Sequence, residues 1–258
     1  MTRSILTIVM LTSYIMDELY LFSAGSANDA INKHLWLKGA SLFIPQINKL
    51  LEFTNYQFNI VDINIFQNEN ASHLGEILAN NRSDKSTGHN YHILYSFILN
   101  KLGNESNLNV LEIGLGTNNP HLVSTMGSHG KPGASLFAFR EYLPNANIYG
   151  GDVDKDILFE SERIKTCYVD QLDLKTFNVF ENIKYDLIID DGLHSIGANF
   201  NTLLFALNNL NEKGWIVIED IHIIENWKSI DFILSSTTKF KTFLIKALGG
   251  CLYVINKL

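Results

Sequence analysis

The sequence predicts an α/β protein built on a doubly wound sheet with helices on both faces. Short apolar runs alternate with stretches of helical pattern along residues 92–234, and each run ends in glycines or acids. The chain then closes with two apolar runs joined by Gly249-Gly250, the pattern of an antiparallel hairpin. In such sheets ligands collect outside the carboxyl ends of the strands, so the residues just after each run are the candidate site.

The run Val110-Leu111-Glu112-Ile113-Gly114-Leu115-Gly116 organises the rest. It reads as a buried parallel strand ending in a turn whose backbone approaches a neighbour closely, which we take to be a nucleoside-bearing cofactor. A third glycine is missing: the place three residues past Gly116 is Asn119, and Pro120 follows. A pyrophosphate seated on a helix N-terminus is therefore not expected. An unusually long loop, Thr117 to Pro132, comes next, and loops of that length in a compact domain are usually functional or mobile.

A helix from Gly133 through Tyr142 leads to a second strand, Ile148 to Asp152. Asp152 stands where an α/β fold offers a carboxylate to ribose hydroxyls, with Asp154 as the alternative. A third strand, Ile164 to Val169, ends in Asp170-Gln171, positioned to flank an adenine. The fourth, Tyr185 to Ile189, ends in Asp190-Asp191, followed by a helix from Ser195 with Phe200, Leu203, Leu204 and Leu207 on one face. The fifth, Gly214 to Ile218, ends in Glu219-Asp220, ahead of a helix around Trp227 to Leu234 and the closing hairpin.

Upstream, residues 1–82 read as a mostly helical extension and residues 83–258 as the main domain. Within the extension, residues 27–54 suggest two helices, the first capped by Asn28 and the second broken near Pro45. Tyr56 to Phe66 is an extra strand or an extended segment, and a short helix is expected at 73–80. The polar stretch Ser83 to Tyr91 precedes a helix from His92 to Leu102 and would form a rim of the cofactor pocket, with Lys85 able to meet a carboxylate. Ile5 to Leu11 faintly resembles a signal peptide, but Asp17 and Glu18 cut it short, and a start at Met16 would remove it. No run has the length of a membrane span.

Composition narrows the partners. A formal net charge of -7, without clustered Lys and Arg, disfavours nucleic acid and favours small molecules. The two cysteines, Cys167 and Cys251, sit in separate apolar runs, as buried thiols in a reducing cytoplasmic setting do.

Taken together, Val110 to Gly116, Asp152, Asp170-Gln171, Asp190-Asp191 and Gly214 to Asp220 resemble, in order, the class I S-adenosylmethionine-dependent methyltransferases over roughly residues 83–258. The resemblance implies a seven-stranded sheet whose last strand runs antiparallel. It also implies S-adenosyl-L-methionine held by Lys85, Glu112, Gly114, Gly116, Asp152, Asp170, Gln171 and Asp190. Asp191-Gly192-Leu193-His194 followed by Glu219-Asp220 is similar to the metal-dependent O-methyltransferases of macrolide sugars, and to relatives acting on polysaccharide or antibiotic precursors. Carried over, Asp191, Glu219 and Asp220 would hold Mg2+ and His194 would be the general base. Such chemistry suits these residues. Hard carboxylate oxygens bind a cation that acidifies a sugar hydroxyl, and imidazoles, which ordinarily titrate near pH 6.5, take up its proton.

Other readings stand beside this one. Asp190-Asp191 can cap the following helix, and His194 can be an ordinary loop histidine. A metal-independent N-methyltransferase, an enzyme modifying a phosphate-derived group of a capsule precursor, an NAD-using nucleotide-sugar enzyme and a non-catalytic nucleoside-binding module are the alternatives. The expected partners are a small-molecule or sugar-containing acceptor and, through the apolar N-terminal helices, a second copy of the chain.

Overall fold

A computed structural model describes residues 29–258, with side chains from residue 33 onward. The Ile5–Leu11 run, the Met16 start and the Asn28 cap lie outside the described residues.

Nine strands form one sheet among the described residues. They are β1 (Ile60–Asp62), β2 (Asn109–Ile113), β3 (Asn147–Asp152), β4 (Glu160–Ser161), β5 (Ile164–Tyr168), β6 (Tyr185–Asp190), β7 (Leu210–Ile218), β8 (Phe240–Ala247) and β9 (Gly250–Lys257). Their order is β1-β8-β9-β7-β6-β2-β3-β5-β4. The inner seven match the expected sheet: β5, β3, β2, β6 and β7 run parallel, and β9 is antiparallel to both β7 and β8. Two very short strands extend the edges, β1 beside β8 and β4 beside β5.

Alternation along the strands divides the core into two layers. On one face Val110, Ile148, Leu187, Ile189 and Val217 pack under α2 (Ala71–Asn80), α4 (His92–Leu102) and α5 (Ala134–Tyr142). On the other, Leu111, Ile188, Ile216 and Ile218 pack under α6 (Ile196–Asn209) and α7 (Lys228–Ser235). A one-turn helix, α3 (Asp84–Thr87), stands between α2 and α4.

The N-terminal region departs from expectation in one respect. Residues 29–50 form a single helix, α1 (Asp29–Leu50), with Pro45 inside it, rather than two. Proline costs a helix about 3 kcal/mol by removing a donor and crowding the carbonyl four residues earlier. Tertiary anchors at both ends outweigh that cost: Trp36 donates to the Gly197 carbonyl at 3.2 Å, and Asn48 bonds the Glu225 carbonyl and the Ser229 amide. Farther on, Ile63, Phe66, Leu74 and Leu78 are buried in the first core layer, so residues 60–80 share the core of the sheet. No helix among the described residues is long and apolar enough to cross a membrane.

Candidate functional site

The carboxyl ends of the four central parallel strands are stitched together by backbone. Gly114 N–H donates to Gly151 O, Asp191 N–H to Ile113 O and Glu219 N–H to Asp190 O, at 2.8–2.9 Å. Gly114 lies at φ +93°, and a Cβ there would overlap the Asp191 carbonyl. The neighbour that demands glycine at 114 is thus the Asp191-Gly192 backbone, not a ligand. At Gly116, φ +76°, a Cβ would overlap the Met126 methyl, which folds back from the Thr117–Pro132 loop.

Beneath this rim lies a buried ionic cluster. Glu112 and Glu219 project from β2 and the end of β7 into the layer covered by α4 and α5, and Lys85 enters between them. Its ammonium lies 3.1 Å from Glu112, 2.7 Å from Glu219 and 2.6 Å from Asp191, with 2% of the side chain exposed. Tyr95 OH donates to the second oxygen of Glu219, and Ser135 OH to that of Glu112 at 2.5 Å. Burial alone would lower the Lys85 pKa, but Asp191, Glu219 and Glu112 outweigh it and hold the ammonium well above its usual range. Burial drives both glutamates upward, against the pull of Lys85. Lys85, read as a partner of the cofactor, and Glu219, read as a metal ligand, are therefore bound to each other.

Above the cluster, Asp191, His194 and Asp220 face one another. One ligand atom from each lies within 4.8 Å of the others. His194 Nε2 is 3.9 Å from Asp191 Oδ1 and 3.9 Å from Asp220 Oδ2, too far for hydrogen bonds, and its Nδ1 is buried without a partner. His194 and Asp220 both hold left-handed backbone, at φ 50° and 53°, a strained state for non-glycine residues that clusters at functional sites.

The acids expected to grip a nucleoside line the same rim but are engaged by protein. Asp152 accepts from the Leu115 and Asp154 amides, pinning the glycine turn, and Asp154 accepts from Thr117 OH. Asp170 pairs with Lys33 of α1 and accepts from the Leu172 amide. Gln171 is buried, donating to Asp190 and Thr202 and accepting from the Leu193 amide. Asp190 is fully buried below the rim.

Burial raises the Asp190 pKa above that of an ordinary carboxylate. A raised folded-state pKa means stability that is fully present below about pH 4 and is lost as pH climbs through the raised value. Asp190→Asn is accordingly expected to raise the unfolding midpoint relative to the parent at pH 7–8, and to lose that advantage near pH 4. Thermal melts across this range check it, and a deficit that deepens toward neutral pH contradicts it.

Three hydroxyls escaped the sequence reading: Tyr91, Tyr95 and Ser135. Tyr91 donates to Asp220 Oδ1 at 2.5 Å. The four-residue spacing of Tyr91 and Tyr95 at the start of α4, which aims both at one face, was the available signal.

Sheet order, the glycine turn after β2 and the acid pairs after β6 and β7 define the class I methyltransferase fold. No protein-family model matches the chain. In sequence it is similar to 8-demethyl-8-(2-methoxy-alpha-L-rhamnosyl)-tetracenomycin-C 3'-O-methyltransferase of Streptomyces olivaceus, 32% identical over 155 residues, which is 57% of this chain and 36% of that protein. In structure it is similar to MycE methyltransferase from the mycinamycin biosynthetic pathway in complex with Mg and SAH, with TM-score 0.56, 22% identity, and coverage of 71% of this chain and 54% of that one. The complex of MycE with Mg, SAH and mycinamycin VI matches with TM-score 0.56 and 20% identity, again over 71% of this chain and 54% of the other. The match thus spans about a third of the curated relative and about half of the solved one.

Proposed function

We propose that this protein is an S-adenosylmethionine-dependent O-methyltransferase, assisted by a divalent cation, that acts on a hydroxyl of a sugar or sugar-bearing small molecule. The observation that carries the reading is the convergence of Asp191, His194 and Asp220 beside the glycine turn, with one oxygen of each carboxylate directed toward His194 Nε2.

The residues fit both groups. Two hard carboxylate oxygens and an imidazole without hydrogen-bond partners suit Mg2+ or Mn2+ and the oxygen of an acceptor. The Gly116 cradle is covered only by the flexible Met126 side chain, which can leave it. The ligands of the MycE complex, Mg and SAH, support the same pair. Once bound, the cation lowers the pKa of the acceptor hydroxyl and the sulfonium supplies an activated methyl group.

The chain's own contribution is alignment and proton removal. Asp191 and Asp220 fix the place of the acceptor oxygen, and orientation of this kind is worth about 7–11 kcal/mol. His194 Nε2 takes the hydroxyl proton while the oxygen takes the methyl group, leaving a neutral thioether and an imidazolium. Asp152 holds the glycine turn in shape through the Leu115 amide. Within the extension, α1 and the turn after it are assigned to acceptor selection or to contacts between copies, because they leave Leu42, Phe43, Leu50 and Phe53 exposed.

Calorimetry and a radiolabelled methyl donor test the proposal. S-adenosylhomocysteine is expected to bind and NAD is not, and transfer to hydroxylated sugar acceptors should stop in EDTA and return with Mg2+. Binding of NAD without the thioether nucleoside, or transfer indifferent to EDTA, overturns the corresponding part.

A further inference from the structure

The geometry points to Lys85 and Tyr91 as positioning residues that select which oxygen of Asp191 and of Asp220 faces the cation. The inference rests on the cation reading above and deepens it.

Both site carboxylates are divided in the same manner. Asp191 gives Oδ2 to Lys85 at 2.6 Å and turns Oδ1 toward His194; Asp220 gives Oδ1 to Tyr91 at 2.5 Å and turns Oδ2 toward the same imidazole. The two donors are six residues apart on one short segment. Lys85 is 2% exposed and Tyr91 is fully buried, so each carboxylate is held from below by a group that cannot swing away into water.

That segment is itself clamped. Ser83 caps α3 through the Lys85 amide, the Leu248 amide donates to Asn90 Oδ1, and His89 stacks on Tyr91 at 4.6 Å while its Nδ1 meets the Leu248 carbonyl. Gly250, at the start of β9, leaves the room that the Tyr91 hydroxyl occupies: a Cβ there would lie 2.7 Å from it. Asp220 itself holds left-handed backbone, and the phenol fixes its Oδ1. Groups that orient metal ligands from outside typically account for 10–100-fold in metal affinity.

Tyr91→Phe removes the hydroxyl and nothing else. Manganese(II) titrated into the full chain, followed by electron paramagnetic resonance of the free ion, is expected to show binding about 10–100-fold weaker than in the parent. The unfolding midpoint in EDTA should stay within about 4 °C, which a merely structural role would not predict alongside the loss. Asp220→Asn serves as the reference. If the parent does not bind manganese, or Asp220→Asn binds it equally well, the cation reading fails and this inference falls with it. If the parent binds, Asp220→Asn does not, and Tyr91→Phe matches the parent, the positioning role alone is wrong.

Discussion

Replacement of His194 by Asn is expected to lower kcat for methyl transfer by about 10²–10⁴-fold, the usual contribution of a positioned general base, while S-adenosylhomocysteine binds as before. Asparagine is chosen because it tolerates the left-handed backbone at φ 50° better than most residues. The change then removes the proton acceptor and leaves the loop between β6 and α6 in place. Steady-state transfer paired with calorimetry checks this; an unchanged kcat would show that the proton goes elsewhere. The expectation follows from position: Nε2 faces the free oxygens of Asp191 and Asp220, and neither ring nitrogen spends itself on a hydrogen bond.

The second large effect is on stability. Lys85→Met removes the cation that lies within 3.1 Å of three carboxylates, two of them buried. Breaking a buried ion pair by deleting one partner usually costs about 3–5 kcal/mol, since the remaining charge has no water to turn to. The deficit should depend on pH in a defined direction. Burial already pushes Glu112 and Glu219 upward, and without Lys85 they rise further. Carboxyls with raised folded-state pKa values stabilise below their unfolded value, near 4.3, and lose that contribution as pH rises through the folded value. The variant should therefore be closest to the parent near pH 5 and furthest from it near pH 8. Denaturant melts at the two pH values read the difference, and a gap that narrows toward pH 8 would contradict the role given to Lys85.

Strand positions were legible in the sequence because a parallel strand buried on both faces is a continuous apolar run, and acids mark its carboxyl end. β2, β6 and the second half of β7 were found in that way, β3 and β5 from the turns and acids that bound them, and the antiparallel hairpin from Gly249-Gly250. β1, three residues long, lies inside the Tyr56–Phe66 stretch read as an extra strand or an extended segment, whereas β4, two residues long, falls below the length at which a pattern can be read. The single α1 helix was hidden by Pro45, whose local penalty is offset by contacts with Gly197, Glu225 and Ser229 far along the chain.

Side-chain direction at the strand ends was the least readable feature. Asp190-Asp191 and Glu219-Asp220 are adjacent pairs, and neighbours in extended chain point to opposite sides. Which member of each pair is exposed depends on Lys85 and Gln171, remote residues that take Glu219 and Asp190 for the interior. Gly114 teaches the same lesson: glycine in a turn signals close approach, but only the fold reveals that the approaching atoms belong to Asp191-Gly192.

The partners of this cluster are far apart along the chain: 106 residues separate Lys85 from Asp191, 129 separate Tyr91 from Asp220, and 134 separate Lys85 from Glu219. Loop-closure entropy must be met before contacts at such separations reward the chain. A nascent polypeptide still lacking β7 carries the lysine and both tyrosines while Glu219 and Asp220, the partners of all three, are not yet synthesised. The buried cluster under the proposed site is thus completed only once residues 219 and 220 are made, so a product ending before β7 would leave Lys85 with two of its three carboxylates and Tyr91 with none.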